Sequence, residues 1–171
     1  MAAISLAPAP RIAILEADVP MPELEAKYGK YGDFFNRLLT DGAKAASLPI
    51  PKCTAWDILN NPDNYPDPSQ FDAILVTGSR IISKGILLNK GYSAYEDKEW
   101  IHKLSAYVKK VYEEYPSKKI IGICFGHQII AQALGGKVEL NSKGWEMAVR
   151  TITLLPEAKG LFDLKDNVMV S

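Results

Sequence analysis

Apolar residues occur along the chain in two patterns. Short, nearly unbroken apolar runs stand at Arg11–Glu16 (RIAILE), Phe71–Thr77 (FDAILVT) and Lys119–Cys124 (KIIGIC). Such runs predict strands buried on both faces. Lys52–Asp57 predicts a further strand, its start limited by Pro49 and Pro51. Met147–Leu155 (MAVRTITLL) and Asn167–Ser171 (NVMVS) predict two more, the first from its β-branched residues. The second pattern is helical. In Asp97–Tyr115, residues Trp100, Ile101, Leu104, Val108, Val111 and Tyr112 share one face, and Pro116 stops the helix. Glu23–Leu39 repeats apolar residues at similar spacing. Gly29 and Gly32 interrupt it, so its regular part is expected near Tyr31. Phe125–Leu134 predicts a helix closed by Gly135-Gly136. Asn60–Ser69 (NNPDNYPDPS) is a turn cluster and predicts a surface loop.

Apolar strands alternating with amphipathic helices predict an α/β fold: an open, mostly parallel sheet with helices on both faces. In such sheets ligands bind at the carboxyl ends of strands. Gly78-Ser79 and Cys124 both follow predicted strands there. A length of 171 residues suits one domain, expected over 11–171. Residues 1–10 (MAAISLAPAP) have no basic start and little apolar length, so they read as a flexible leader rather than a signal peptide.

Charge and composition narrow the function. Lysine plus arginine and aspartate plus glutamate each number 20, so the basic excess of a nucleic-acid-binding chain is missing. An apolar fraction of 47% with 23% charged residues indicates a globular chain. No apolar run approaches the roughly 18 residues of a membrane span. Two cysteines, Cys53 and Cys124, are too few for a disulfide scaffold, so a cytoplasmic setting is expected.

The chemistry concentrates in Gly122-Ile123-Cys124-Phe125-Gly126-His127-Gln128. This is G-x-C-x-G between a strand and a helix, the cysteine form of a nucleophile elbow. A sharp turn there lifts the nucleophile above the sheet, and Gly122 and Gly126 allow neighbouring backbone to approach. The helix N-terminus favours thiolate over thiol. The Phe125 N–H lies where an oxyanion would form. The plainer reading makes Cys124 a small buried apolar residue. The flanking glycines, strand and helix favour the elbow. Cys53 has no such setting and reads as a core or boundary thiol.

That motif resembles the nucleophile segment of class I glutamine amidotransferases. Other segments agree with the resemblance: Phe71–Ser79 (FDAILVTGS), Ala94-Tyr95-Glu96-Asp97 with Trp100-Ile101, Ala133–Val138 (ALGGKV) and Lys143-Gly144-Trp145-Glu146. The similarity is greatest to stand-alone fungal amidotransferase-like proteins and plant γ-glutamyl peptidases. It implies a flavodoxin-like fold and a small-molecule γ-glutamyl substrate, either glutamine or a γ-glutamyl peptide. It implies Cys124 as nucleophile, oxyanion-hole amides at Phe125 and at Gly78 and Ser79, and Gln128 beside the glutamyl group. No metal or organic cofactor is expected, and neither is a nucleic-acid or membrane partner. The oligomeric state is left open.

The chain departs from this pattern at two places. The family's base and its carboxylate form an H-x-E pattern in a C-terminal segment, and no H-x-E occurs among the 171 residues. Relative to the family, the C-terminal part is therefore expected to be missing and hydrolysis impaired. His127 occupies a structural position of the motif. His102 lies beside the apolar face of its helix, where a solvated or core-edge place is expected. Glu146 and Glu157 have no histidine to orient. The second departure is an insert, Arg80–Tyr92 (RIISKGILLNKGY), next to the proposed oxyanion turn. The alternative function is a non-catalytic chain that binds a γ-glutamyl ligand or a protein partner. A third reading, the cysteine-dependent chaperone, deglycase and protease relatives, fits less well. Several of its protease-like members place histidine directly after the cysteine, where this chain has Phe125.

Overall fold

The computed structural model describes residues 8–79, 92–142, 150–153, 156 and 167–170. Residues 1–7 of the expected leader, 80–91 of the insert, the segment Lys143–Glu146, 147–149 and 154–155 of one expected strand, and Glu157 lie outside the described residues. The backbone forms two compact units, Met1–Val138 and Glu139–Ser171.

In the first unit, β1 (Arg11–Glu16), α1 (Pro22–Tyr28) and α2 (Tyr31–Ala45) are followed by β2 (Lys52–Asp57) and a 3-10 turn at Pro68–Gln70. Then come β3 (Ala73–Val76), α3 (Glu99–Glu114), β4 (Lys119–Gly122) and α4 (Phe125–Ala133). The four strands form one parallel sheet in the order β2-β1-β3-β4. The sheet is open and parallel, as the sequence pattern predicts, and its order is the flavodoxin-like one that the resemblance implies.

Because strand side chains alternate between faces, the apolar strands feed two cores. Ala13 and Leu15 of β1 and Ile74 and Val76 of β3 pack with Leu104 and Val108 of α3 and Phe125 and Ile129 of α4. Ile12 and Ile14, with Ala73 and Leu75, meet Phe35, Tyr31 and Leu39 of α2 on the other face. Helices therefore cover both faces. At the amino ends of β1 and β3, the Arg11 guanidinium grips Asp72 through Nε (3.2 Å) and Nη2 (2.9 Å). This contact holds the Asp72 carboxyl down at about 2.

The regular part of the first helical stretch does begin at Tyr31. A separate helix of seven residues, α1, precedes it, and Gly29 at φ 80° breaks the two apart. α2 continues past Leu39 to Ala45, where the apolar periodicity fades but nothing in the backbone stops a helix. In the second unit, β5 (Arg150–Thr153) and β6 (Asn167–Val170) pair antiparallel, within the two stretches expected to be strands. Among the described residues, no helix is long and apolar enough to cross a membrane.

Candidate active site

β3 and β4 end side by side, and both carry chain directly into the candidate site. The ladder runs one residue past β4, with Ile123 N–H donating to the Val76 carbonyl at 3.0 Å. Cys124 follows at φ 51°, ψ −108°, and α4 begins at once with Phe125. Ser47 is the other described non-glycine residue with positive φ. A β-unbranched L-residue held there costs on the order of 1–3 kcal/mol.

Packing around the turn holds this backbone in place. A Cβ on Gly126 would collide with the Val76 carbonyl oxygen, and one on Gly122 would collide with His127 N and the Gly126 carbonyl carbon. Only hydrogen fits at either position. The helix therefore seats directly on the ends of β3 and β4. The Cys124 carbonyl accepts from His127 N–H (3.1 Å) and Gln128 N–H (3.3 Å). Cys124 is exposed.

Gly78 lies against the cysteine. A Cβ built there would stand 3.5 Å from Cys124 Cβ and 3.6 Å from the Ile123 carbonyl oxygen. Thr77 anchors this turn: its buried hydroxyl accepts from Ala17 N–H (3.0 Å) and donates to the Gly78 carbonyl (3.1 Å). Ser79 is buried, and its Oγ accepts from Tyr92 N–H at 2.9 Å. Phe125 is the first residue of α4, so its N–H has no acceptor within the helix. Its ring is buried and stacks on Trp100 (5.5 Å between centroids, 30°), and Trp100 in turn meets Tyr92 edge-on (5.1 Å, 77°).

Cys124, Gly78 and Phe125 are thus neighbours, and Gln128 sits half-buried one turn into α4. The histidines fall elsewhere. His127 is exposed on α4. His102 is exposed on α3, its Nε2 2.6 Å from the Asp97 carboxylate, which is the solvated place expected for it. Cys53 is half-buried against the α2 side of the sheet, and burial pushes its thiol pKa up. Among the described residues, no three His, Cys, Asp or Glu side chains are grouped to hold a metal ion. The sequence reading missed Thr77, the Tyr92–Trp100 contact and the buried acids Glu16 and Asp18 at the end of β1. A threonine at a strand end just before Gly78-Ser79 was the available signal for the first. Trp100 read simply as part of an apolar helix face.

A family model, glutamine amidotransferase class-I, matches residues 66–170. The chain belongs to the class I glutamine amidotransferase family. The resemblance carried by Gly122–Gln128 and its flanking segments is therefore borne out. A glutamine amidotransferase-like protein of Schizosaccharomyces pombe is 38% identical over 158 residues, which cover 90% of this chain and 59% of that protein. Gamma-glutamyl peptidase 4 of Arabidopsis thaliana is 33% identical over 135 residues, covering 77% and 45%. This chain of the amidotransferase family thus spans only about half to three-fifths of those relatives' length. Among solved structures, a glutamine amidotransferase from Thermotoga maritima superposes with a TM-score of 0.63 at 15% identity, covering 96% of this chain and 60% of that one. A glutamine amido transferase from Methylobacillus flagellatus gives 0.56 at 20% identity, covering 96% and 54%. Both are likenesses of fold.

Proposed function

We propose that this member of the amidotransferase family attacks the side-chain carbonyl of a γ-glutamyl amide through Cys124. The observation that carries the reading is Cys124 itself: an exposed cysteine at φ 51°, at the N-terminus of α4, with both flanking glycines compressed against backbone. A residue is kept at such a backbone angle only where its surroundings over-determine it. The sulfur bonds to the carbonyl carbon of the side-chain amide, the glutamyl Cδ, and the carbonyl oxygen takes up negative charge. That oxygen faces the N–H of Phe125 and the Gly78–Ser79 turn, which stabilise it. The C–N bond then breaks, the amine leaves with a proton, and a γ-glutamyl thioester remains on Cys124. Water attacks the thioester, releasing glutamate and restoring the thiol. Gln128 lies beside the glutamyl group. Glutamine and γ-glutamyl peptides share the reacting group, and two of the relatives named above divide between those two descriptions.

Labelling with the diazoketone analogue of glutamine, in which a diazomethyl ketone replaces the carboxamide, tests this reading. Cys124 is expected to be modified and Cys53 spared, as read by peptide mass spectrometry. Glutamate added in excess should protect Cys124, and Cys124→Ser should abolish labelling. Equal modification of both cysteines, or no protection, would overturn the proposal.

One observation favours a second reading. Among the described residues, neither histidine stands with a carboxylate at Cys124: His102 pairs with Asp97 on α3, and His127 is exposed on α4. A chain so equipped binds a γ-glutamyl ligand, or is acylated by it, without rapid turnover.

A further inference from the structure

The two stretches assigned to the oxyanion site are joined a second time, away from Cys124. Ser79, next to Gly78, holds Tyr92 through its Oγ at 2.9 Å. The Tyr92 ring meets the Trp100 indole edge-on, and the same indole stacks on Phe125. Phe125 follows Cys124, and Cys124 faces Gly78. The contacts therefore close a ring around the site, with Trp100 opposite the cysteine. Trp100 is 8% exposed and Phe125 1%. Among the described residues, the indole Nε1 is buried without a hydrogen-bond partner, so Trp100 is placed by ring packing.

We infer that Trp100 is a positioning residue for the oxyanion site, setting the spacing between the Phe125 N–H and the Gly78–Ser79 turn through its contacts with Phe125 and Tyr92. The inference rests on the reading of Cys124 as nucleophile given above. The physical need is narrow, because donors serve an oxyanion only when they lie about 2.7–3.1 Å from where that oxygen will sit. The two donors come from different strand ends. A flat, rigid side chain in contact with both connections fixes that separation. Leucine at position 100 would keep apolar volume but lose both ring contacts. Phenylalanine would keep a flat aromatic face and lose the pyrrole part of the indole, whose N–H has no acceptor among the described residues.

The test compares two reagents on the full 171-residue chain. With the diazoketone analogue of glutamine, the diazo carbon takes up one proton, the Cys124 sulfur bonds to that carbon, and dinitrogen leaves. The reagent's ketone oxygen occupies the oxyanion position. Iodoacetamide alkylates the same sulfur, releasing iodide, with no such requirement. Loss of one complete oxyanion donor typically costs 10²–10³ in rate, so a displaced donor should cost less: Trp100→Leu is expected to slow diazoketone labelling about tenfold, iodoacetamide less than about threefold, and Trp100→Phe to stay within about threefold on both. A fall in both rates together, or in neither, would mean that Trp100 only fills the core and would overturn the inference. If Trp100→Leu does not fold, as judged by circular dichroism, Tyr92→Leu carries the test. An unchanged ratio of the two rates in that variant overturns the inference. If the unaltered chain is not labelled by the diazoketone, the proposed function fails first. If it is labelled and the ratios do not move, only the role of Trp100 fails.

Discussion

Two glycines in this chain can be replaced by alanine with opposite expected results, and the difference lies in what a single Cβ would meet. Gly126 is pressed on the Val76 carbonyl oxygen, a backbone atom that cannot turn aside. Gly42, inside α2, has nothing within 4 Å of its would-be Cβ. Gly126→Ala must lift α4 off the sheet or relax the positive φ of Cys124, so it should lower stability by about 2–3 kcal/mol, as overpacking does. Gly42→Ala fills open space and gains helix propensity, so it should raise stability by about 0.5–1 kcal/mol. Urea unfolding followed by circular dichroism measures both, and a loss at Gly126 no larger than the change at Gly42 would refute the account of the turn. The need for glycine at 122 and 126 was legible in the G-x-C-x-G spacing. Gly122 meets His127 and Gly126 of its own motif, but what presses on Gly126 was not legible, because Val76 lies fifty positions away and is brought there by the β3–β4 register.

At the scale of elements, the start of α2 depends on an acid from β1. Glu16 is 6% exposed, and its Oε1 accepts from Gly32 N–H at 2.7 Å. A Cβ on Gly32 would stand 2.5 Å from Ala55 Cβ, so glycine is also what lets the helix start dock on β2. Burial pushes the Glu16 pKa above its ordinary 4.5, against the pull of the Gly32 N–H and the Lys30 charge, with Asp57 and Asp33 adding to the rise. The sign follows directly. A raised carboxyl favours folding while protonated, so its contribution is full below pH 4.5 and is lost as pH rises through the raised value. Glu16→Gln keeps an acceptor for Gly32 and removes the titration. Between about pH 4.5 and 7 the melting temperature of the parent should fall relative to that of Glu16→Gln, and parallel curves would show that Glu16 does not titrate in this range. The element boundaries themselves were mostly legible, because apolar runs and glycines mark them locally. The Glu16–Gly32 contact was not, since nothing near RIAILE announces which helix end its last residue will meet. The α1–α2 break was legible as Gly29, while the extra turns to Ala45 were not, because a polar helix end leaves no periodic trace.

Across the whole molecule, the sheet order places β1 and β3 at the centre, with Cys124 beyond the β3–β4 ends and α2 on the opposite face from α3 and α4. In the proposed reaction, the attacking group and its oxyanion donors would thus be supplied by neighbouring strand ends. Proton transfer is a separate requirement. It needs a base, most often a histidine, within hydrogen-bond reach of the sulfur or of the attacking water. The 171 residues hold two histidines: one bound to Asp97 on α3, the other exposed on α4 with its backbone N–H on the Cys124 carbonyl. The first half-reaction leans on the sulfur and the oxyanion site; the second must generate a nucleophile from water and leans on the base. The polypeptide Met1–Ser171 should therefore accept a γ-glutamyl group from an activated donor, such as the p-nitroanilide, more readily than it releases it. Removing triad members from a cysteine- or serine-type hydrolase lowers turnover by about 10⁴–10⁶-fold, so steady-state ammonia release from glutamine should be slower than that of a complete triad by about that factor. A burst of p-nitroaniline, at most one equivalent per Cys124 and followed by a flat line, is the expected trace. It should be absent in Cys124→Ser. Sustained release with glutamine that vanishes in Cys124→Ser would show instead that a group within these residues serves as base. His127→Gln and His102→Gln would then identify which one.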